Sequence, residues 1–142
     1  MTREDFELFV DRHLASLARQ DAAALAANHS TESTVESPIF AVLHGRAAVE
    51  ESYKSLFTSF PDFAATANDV LIDPPHVVVV STVHATHTND FMGLAGTGRR
   101  VEFQSVLCFT FENGLIVREK RVYDFTGLLV QLGVLRAKPA KP

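Results

Sequence analysis

Asp124 closes a polar stretch, Leu115 to Tyr123, and is the carboxylate best placed for chemistry in this sequence. A carboxylate turned into an apolar cavity loses hydration, and its pKa rises. It then accepts a proton near neutral pH and can return it after the transfer. Proton removal beside a carbonyl is the natural use. The same residue stands two before Thr126-Gly127, where it would equally suit the cap of a final helix. Residue type alone leaves both readings open. A Lys120 on the same face would pair with Asp124 and weaken it as a base.

His84 and His87 are the other candidates. Three residues apart on a strand, they face opposite ways, so they cannot share a metal ion. His87 falls on the face with Val79, Ser81, Val83 and Ala85. There it could orient a carbonyl or stabilise an oxyanion, or be a hydrogen-bonded structural histidine. Tyr53 carries a hydroxyl that needs a partner if buried. Phe40, Phe57, Phe60, Phe91, Phe103 and Phe109, with Leu107, are apolar enough to line a pocket for a flat or hydrocarbon-like ligand, or simply to fill a core. Gly93, Gly96 and Gly98 make no phosphate loop, because no Lys-Ser/Thr follows. No Gly-x-Ser-x-Gly elbow accompanies the serines. Cys108 has no basic neighbour to activate it.

These residues must be positioned by a small chain. A length of 142 residues favours one domain, read as 1–137 with a tail at 138–142, large enough to bury a core without staples. A net charge of −4 with no basic stripe argues against nucleic acid and anionic membranes as partners. A lone cysteine excludes an internal disulfide. The N-terminus, MTREDFELF, has no apolar leader, and Val77 to Val80 is too short to span a bilayer, so the expectation is a cytoplasmic protein.

Phe6, Phe9, Val10, Leu14 and Leu17 share one face of a helix over residues 3–19. Residues 21–27 form a second helix capped by Asp21, and 28–37 is turn-rich with a short strand at 34–36. A third helix spans 47–59, with Pro61-Asp62 as its stop. Strands follow at 63–72 and 76–88. Val101 to Phe111 alternates cleanly, with Val101, Phe103, Ser105, Leu107, Phe109 and Phe111 on one face. Asn113-Gly114 suits a tight turn into the polar arm. Tyr123, opposite Asp124 on that arm, is expected outside or at an interface. Residues 126–137 suggest a final short helix or coil, with Gly127 and Gly133 counting against the helix. Helices first and strands after argue an α+β fold, with helices over one face of a curved, mostly antiparallel sheet.

That order, with the strings HGRAAVEESYKSLFTSFPDF (44–63), HATHTNDFMGLAGTGRRVEF (84–103) and FTFENGLIVREKRVYDFTGLLVQLG (109–133), resembles the SnoaL-like polyketide cyclases of the nuclear-transport-factor-2-like superfamily, relatives of ketosteroid isomerase. The resemblance implies a cone-shaped α+β barrel with a pocket at its open end, a homodimer paired through the outer sheet face, and no cofactor or metal. It implies acid/base catalysis on a small apolar carbonyl compound, with Asp124 matching the family's aspartate and His87 its pocket histidine. Members often carry a polar residue where this chain has Leu107 and an aromatic where it has Lys120. A non-catalytic ligand-binding or scaffold protein of the same fold is the alternative.

Overall fold

Thr2 starts the first helix, α1 (Arg3–Ala18): its hydroxyl accepts from the Asp5 N–H, and Asp5 accepts in return from the Thr2 N–H. This reciprocal cap satisfies two of the donors that every helix start leaves open. Asp21 caps α2 (Ala22–Ala27) through the Ala24 N–H, as expected. The computed structural model describes residues 1–136. The boundary read at 137 and the tail 138–142 lie outside them.

Six strands form one open sheet in the order β2-β1-β6-β5-β4-β3. They are β1 (His29–Glu36), β2 (Leu43–His44), β3 (Ala64–Asp73), β4 (His76–Thr86), β5 (Arg100–Glu112) and β6 (Leu115–Tyr123). Helix α3 (Arg46–Ser59) enters between β2 and β3, and α4 (Phe125–Gln131) follows β6. Every pairing is antiparallel except β1 with β6. The α+β class and the mostly antiparallel curved sheet are therefore as read.

The β5–β6 hairpin turns at Asn113 and Gly114, both at positive φ, 51° and 78°. Two such residues in sequence give the twist that an antiparallel pair needs. The turn-rich stretch 28–37 proves to be mostly strand. Parallel pairing with β6 draws His29, Ser33 and Val35 inward, and all three are fully buried. A local polar composition could not announce a strand whose partner lies some ninety residues away.

The inner sheet face packs in three places. Phe6, Phe9 and Val10 of α1 meet Val77, Val79, Phe109 and Phe111. Leu17 and α2 meet Val49, Tyr53 and Phe57 of α3. Phe60, Ala85, Phe91 and Val101 are closed over by Leu128 and Leu132. A hollow is left between α3 and the sheet. No helix among the described residues is long and apolar enough to cross a membrane.

Candidate active site

That hollow is a cavity of about 940 Å³, in the range that takes a drug-sized molecule. Leu56 and Phe60 of α3 and its end, Phe63 beyond it, Val83 and Ala85 of β4, and Phe103 and Leu107 of β5 make its apolar walls. Phe40 stands half-exposed among its lining residues, and Glu51, Lys54 and Asp90 are exposed polar members of the lining. The buried polar groups in the lining are His13 of α1, Tyr53 and Ser59 of α3, Ser81 of β4 and Ser105 of β5, joined by the partly buried Arg121 and Tyr123 of β6.

Helix α1 delivers His13 because residue 13 follows Phe6, Phe9 and Val10 on the buried face. The imidazole is 2% exposed, with its ring against Phe9 and Phe109 at 5.5 and 5.3 Å. Neither ring nitrogen has a hydrogen-bond partner among the described residues. Burial lowers its pKa to about 4, against an opposing pull from Glu119, so the ring is neutral at pH 7.

Strand β6 turns Glu119, Arg121 and Tyr123 inward by its two-residue period. Glu119 is wholly buried and bridges two partners. His29 Nε2 lies 2.9 Å from its Oε1, and Arg121 Nε donates to its Oε2. His29 Nδ1 donates to the Leu25 carbonyl at 3.1 Å. Burial alone would raise the Glu119 pKa, but Arg121 and His29 overcome it and hold the carboxyl well below its usual range. Burial likewise works against charge on Arg121, and Glu119 more than restores it. The guanidinium carbon sits 4.9 Å above the Tyr53 ring, a cation–π contact. Arg121 Nη2 is buried without a partner among the described residues. Burial, then Glu119, holds the Tyr53 phenol far above its ordinary pKa. Burial pushes Tyr123 up to about 12.

Of the residues read from the sequence, Tyr53, Phe60, Phe40, Phe91, Phe103 and Leu107 line the cavity. Four do not. Phe57 packs away from it, on Tyr53 and Phe63. Phe109 is sealed beneath α1, against Phe9 and His13. His87 faces inward yet lies behind Phe60 and Phe91, ring centroids 5.6 and 6.3 Å away. Its Nδ1 accepts from the Thr97 N–H at 3.3 Å and lies 3.0 Å from the Thr97 hydroxyl, so it ties down the loop before β5. Asp124 is exposed and caps α4, accepting from the Gly127 N–H at 2.8 Å. The structure thus places Asp124 at a helix cap and His87 behind the cavity wall, neither among the lining residues. Lys120 is exposed on the opposite face from Arg121, away from the cavity, and Tyr123, expected outside, lines it.

The family model for the SnoaL-like polyketide cyclases matches residues 7–132. The chain belongs to that family. Comparison with curated proteins gave no match. Among solved structures, AclR from Streptomyces galilaeus, proposed to be a hydroxylase, is 25% identical with a TM-score of 0.85, over 97% of this chain and 91% of its own. TsrD from Streptomyces laurentii is 22% identical with a TM-score of 0.84, over 95% and 99%. A SnoaL-like polyketide cyclase from Agrobacterium tumefaciens is 23% identical with a TM-score of 0.73, over 91% and 98%. The cone-shaped fold of the family is therefore that of this chain.

Sequence reasoning missed His13, Arg121 and Glu119. A signal existed for His13: Phe6, Val10, His13 and Leu17 keep the three- and four-residue spacing of the buried face. None existed for β6. Its inner face reads Glu-x-Arg-x-Tyr, a composition that by itself suggests solvent.

Proposed function

We propose that the protein catalyses enolisation of a small, largely apolar carbonyl compound, leading to intramolecular aldol closure or isomerisation. The observation that carries this reading is the pairing of His13 and Arg121: two buried side chains in one apolar cavity, each with nitrogen atoms left without a partner among the described residues. His13, neutral at pH 7, takes the proton from the carbon beside the carbonyl. The C–H electron pair moves onto the carbonyl oxygen, and the enolate formed is held by the Arg121 guanidinium. In ring closure the enolate carbon then attacks a second carbonyl of the same molecule. A carbon–carbon bond forms, and His13 returns its proton to the new alkoxide. In isomerisation the proton goes back to a different carbon. A conjugate acid near pKa 4 is close in strength to the carboxylic acid whose base form enolises steroid ketones. Tyr53, kept protonated by its surroundings, offers a further donor in the lining. Membership of the cyclase family supports the same reaction class.

Solvent deuterium exchange at the activated carbon of a panel of aromatic ketones and β-keto esters, followed by NMR, tests this directly. Wild type speeds exchange of at least one compound, and His13→Phe slows it roughly 100-fold or more. Equal exchange by the two proteins removes the proposal. Asp124→Asn keeps the wild-type rate, since its side chain is outside the cavity.

A further inference from the structure

Arg121 keeps a donor open. Glu119 offers one oxygen to His29 Nε2 at 2.9 Å and the other to Arg121 Nε, so one carboxylate is shared between two partners. The other titratable members of the lining that lie inward, His13, Tyr53 and Tyr123, are uncharged at pH 7 and give Arg121 no second negative charge. Glu51 and Asp90 are exposed, and Glu51 is already paired with Lys54 at 3.6 Å. The Arg121 side chain is only 15% exposed, and its Nη2 has no partner among the described residues. A buried cation with an open donor is costly unless an anion completes it.

We infer that the cavity binds its ligand as an anion, with a negatively charged oxygen on Arg121 Nη2 and a flat apolar body between α3 and the inner faces of β4 and β5. The ligand class is an apolar carboxylate, or a phenol or β-dicarbonyl compound acidic enough to be ionised in the ground state. This rests on the same cavity as the enolisation reading and goes further, because a carbonyl substrate need carry no charge until it reacts. The charge also selects. A neutral molecule of the same shape offers Arg121 only an uncharged acceptor, and an apolar cation meets repulsion.

Calorimetric titration of the wild-type protein with naphthoate and with naphthamide tests the inference, since the two differ in charge and hardly in shape. An acetylated indanedione, flat and ionised at neutral pH, supplies the enolate arm. The acid or the enolate binds at least about tenfold more tightly than the amide, the step expected when the guanidinium's acceptor changes from a neutral oxygen to an anionic one. Preference for the acid alone assigns a carboxylate ligand, and preference for the enolate alone a dicarbonyl or phenol. Lys54→Ala leaves the preference intact, whereas Arg121→Gln abolishes it. The wild-type comparison stands even where Arg121→Gln fails to fold. Amide binding as tight as both anions, or a preference lost with Lys54 instead, overturns the inference. Deuterium exchange reports separately: anion preference without exchange retires only the enolisation, and exchange without anion preference retires only this inference.

Discussion

A histidine held among phenylalanines is a different reagent from one in water. His13 lies against Phe9 and Phe109, and burial, the largest influence on it, favours the uncharged ring. Glu119 serves position rather than proton transfer: it fixes Arg121 from one oxygen and His29 from the other. Removing it leaves a buried guanidinium and a buried imidazole without their shared acceptor. Glu119→Ala should cost about 3–5 kcal/mol of stability, read as a lowered midpoint in urea unfolding. Glu119→Gln keeps the shape and one acceptor oxygen and should lose less. An unfolding midpoint of Glu119→Ala equal to wild type would show that the triad carries no stability.

At the scale of elements, β6 and α4 decide which residues face the cavity. The strand alternates, so one register step exchanges Glu119, Arg121 and Tyr123 for Lys120 and Val122 on the inner face. The strand ends at Tyr123, and the chain turns into α4 at Asp124, whose carboxylate folds back on the first turn. Gly127 is what admits it: a Cβ there would lie 2.2 Å from Asp124 Oδ2. Asp124→Ala should therefore destabilise the protein by about 1 kcal/mol, seen as a small drop in Tm, with deuterium exchange unchanged. A loss of exchange on the scale of His13→Phe would return Asp124 to the chemistry. Gly127→Ala should likewise lower Tm, because the cap must move aside.

For the whole molecule, two buried groups set the acid side of the stability curve. The His13 pKa is about 4 in the fold and 6.5 in the unfolded chain. Between those values the unfolded chain takes up a proton that the fold refuses, so stability falls as pH drops from 6.5 to about 4, by on the order of 3 kcal/mol. Glu119, held below its usual 4.5, contributes stability that is present above that value and lost as pH falls towards its folded pKa. Both act in one direction, so Tm should fall steadily from pH 7 to pH 3. His13→Phe should flatten the part between 6.5 and 4 and leave the part below. A pH profile of His13→Phe parallel to wild type would contradict the burial of a neutral ring. The outer sheet face carries an apolar strip of Val78, Val80, Val106, Cys108 and Val122, aligned by the β4–β5–β6 register. It suits the homodimer that family resemblance implies. Sedimentation should read a dimer that Val106→Lys dissociates, and a wild-type monomer would dispose of the idea.

Helix spacing, strand alternation and turn residues in the sequence determined the α+β class, the long β5 with its inner face, the Asn113-Gly114 turn and six of the cavity-lining side chains. Those are short-range facts, written by periods of two and three to four residues. Tertiary structure alone decided the polar end of the site. Glu119 and Arg121 look like solvent-facing residues until β1 pairs alongside and brings His29 to the carboxylate across ninety positions of chain. Alternation tells which residues share a face and is silent on which face is inside. On β6 it paired Glu119 with Arg121 and Tyr123, and only tertiary packing turned that set, rather than Lys120 and Asp124, inward.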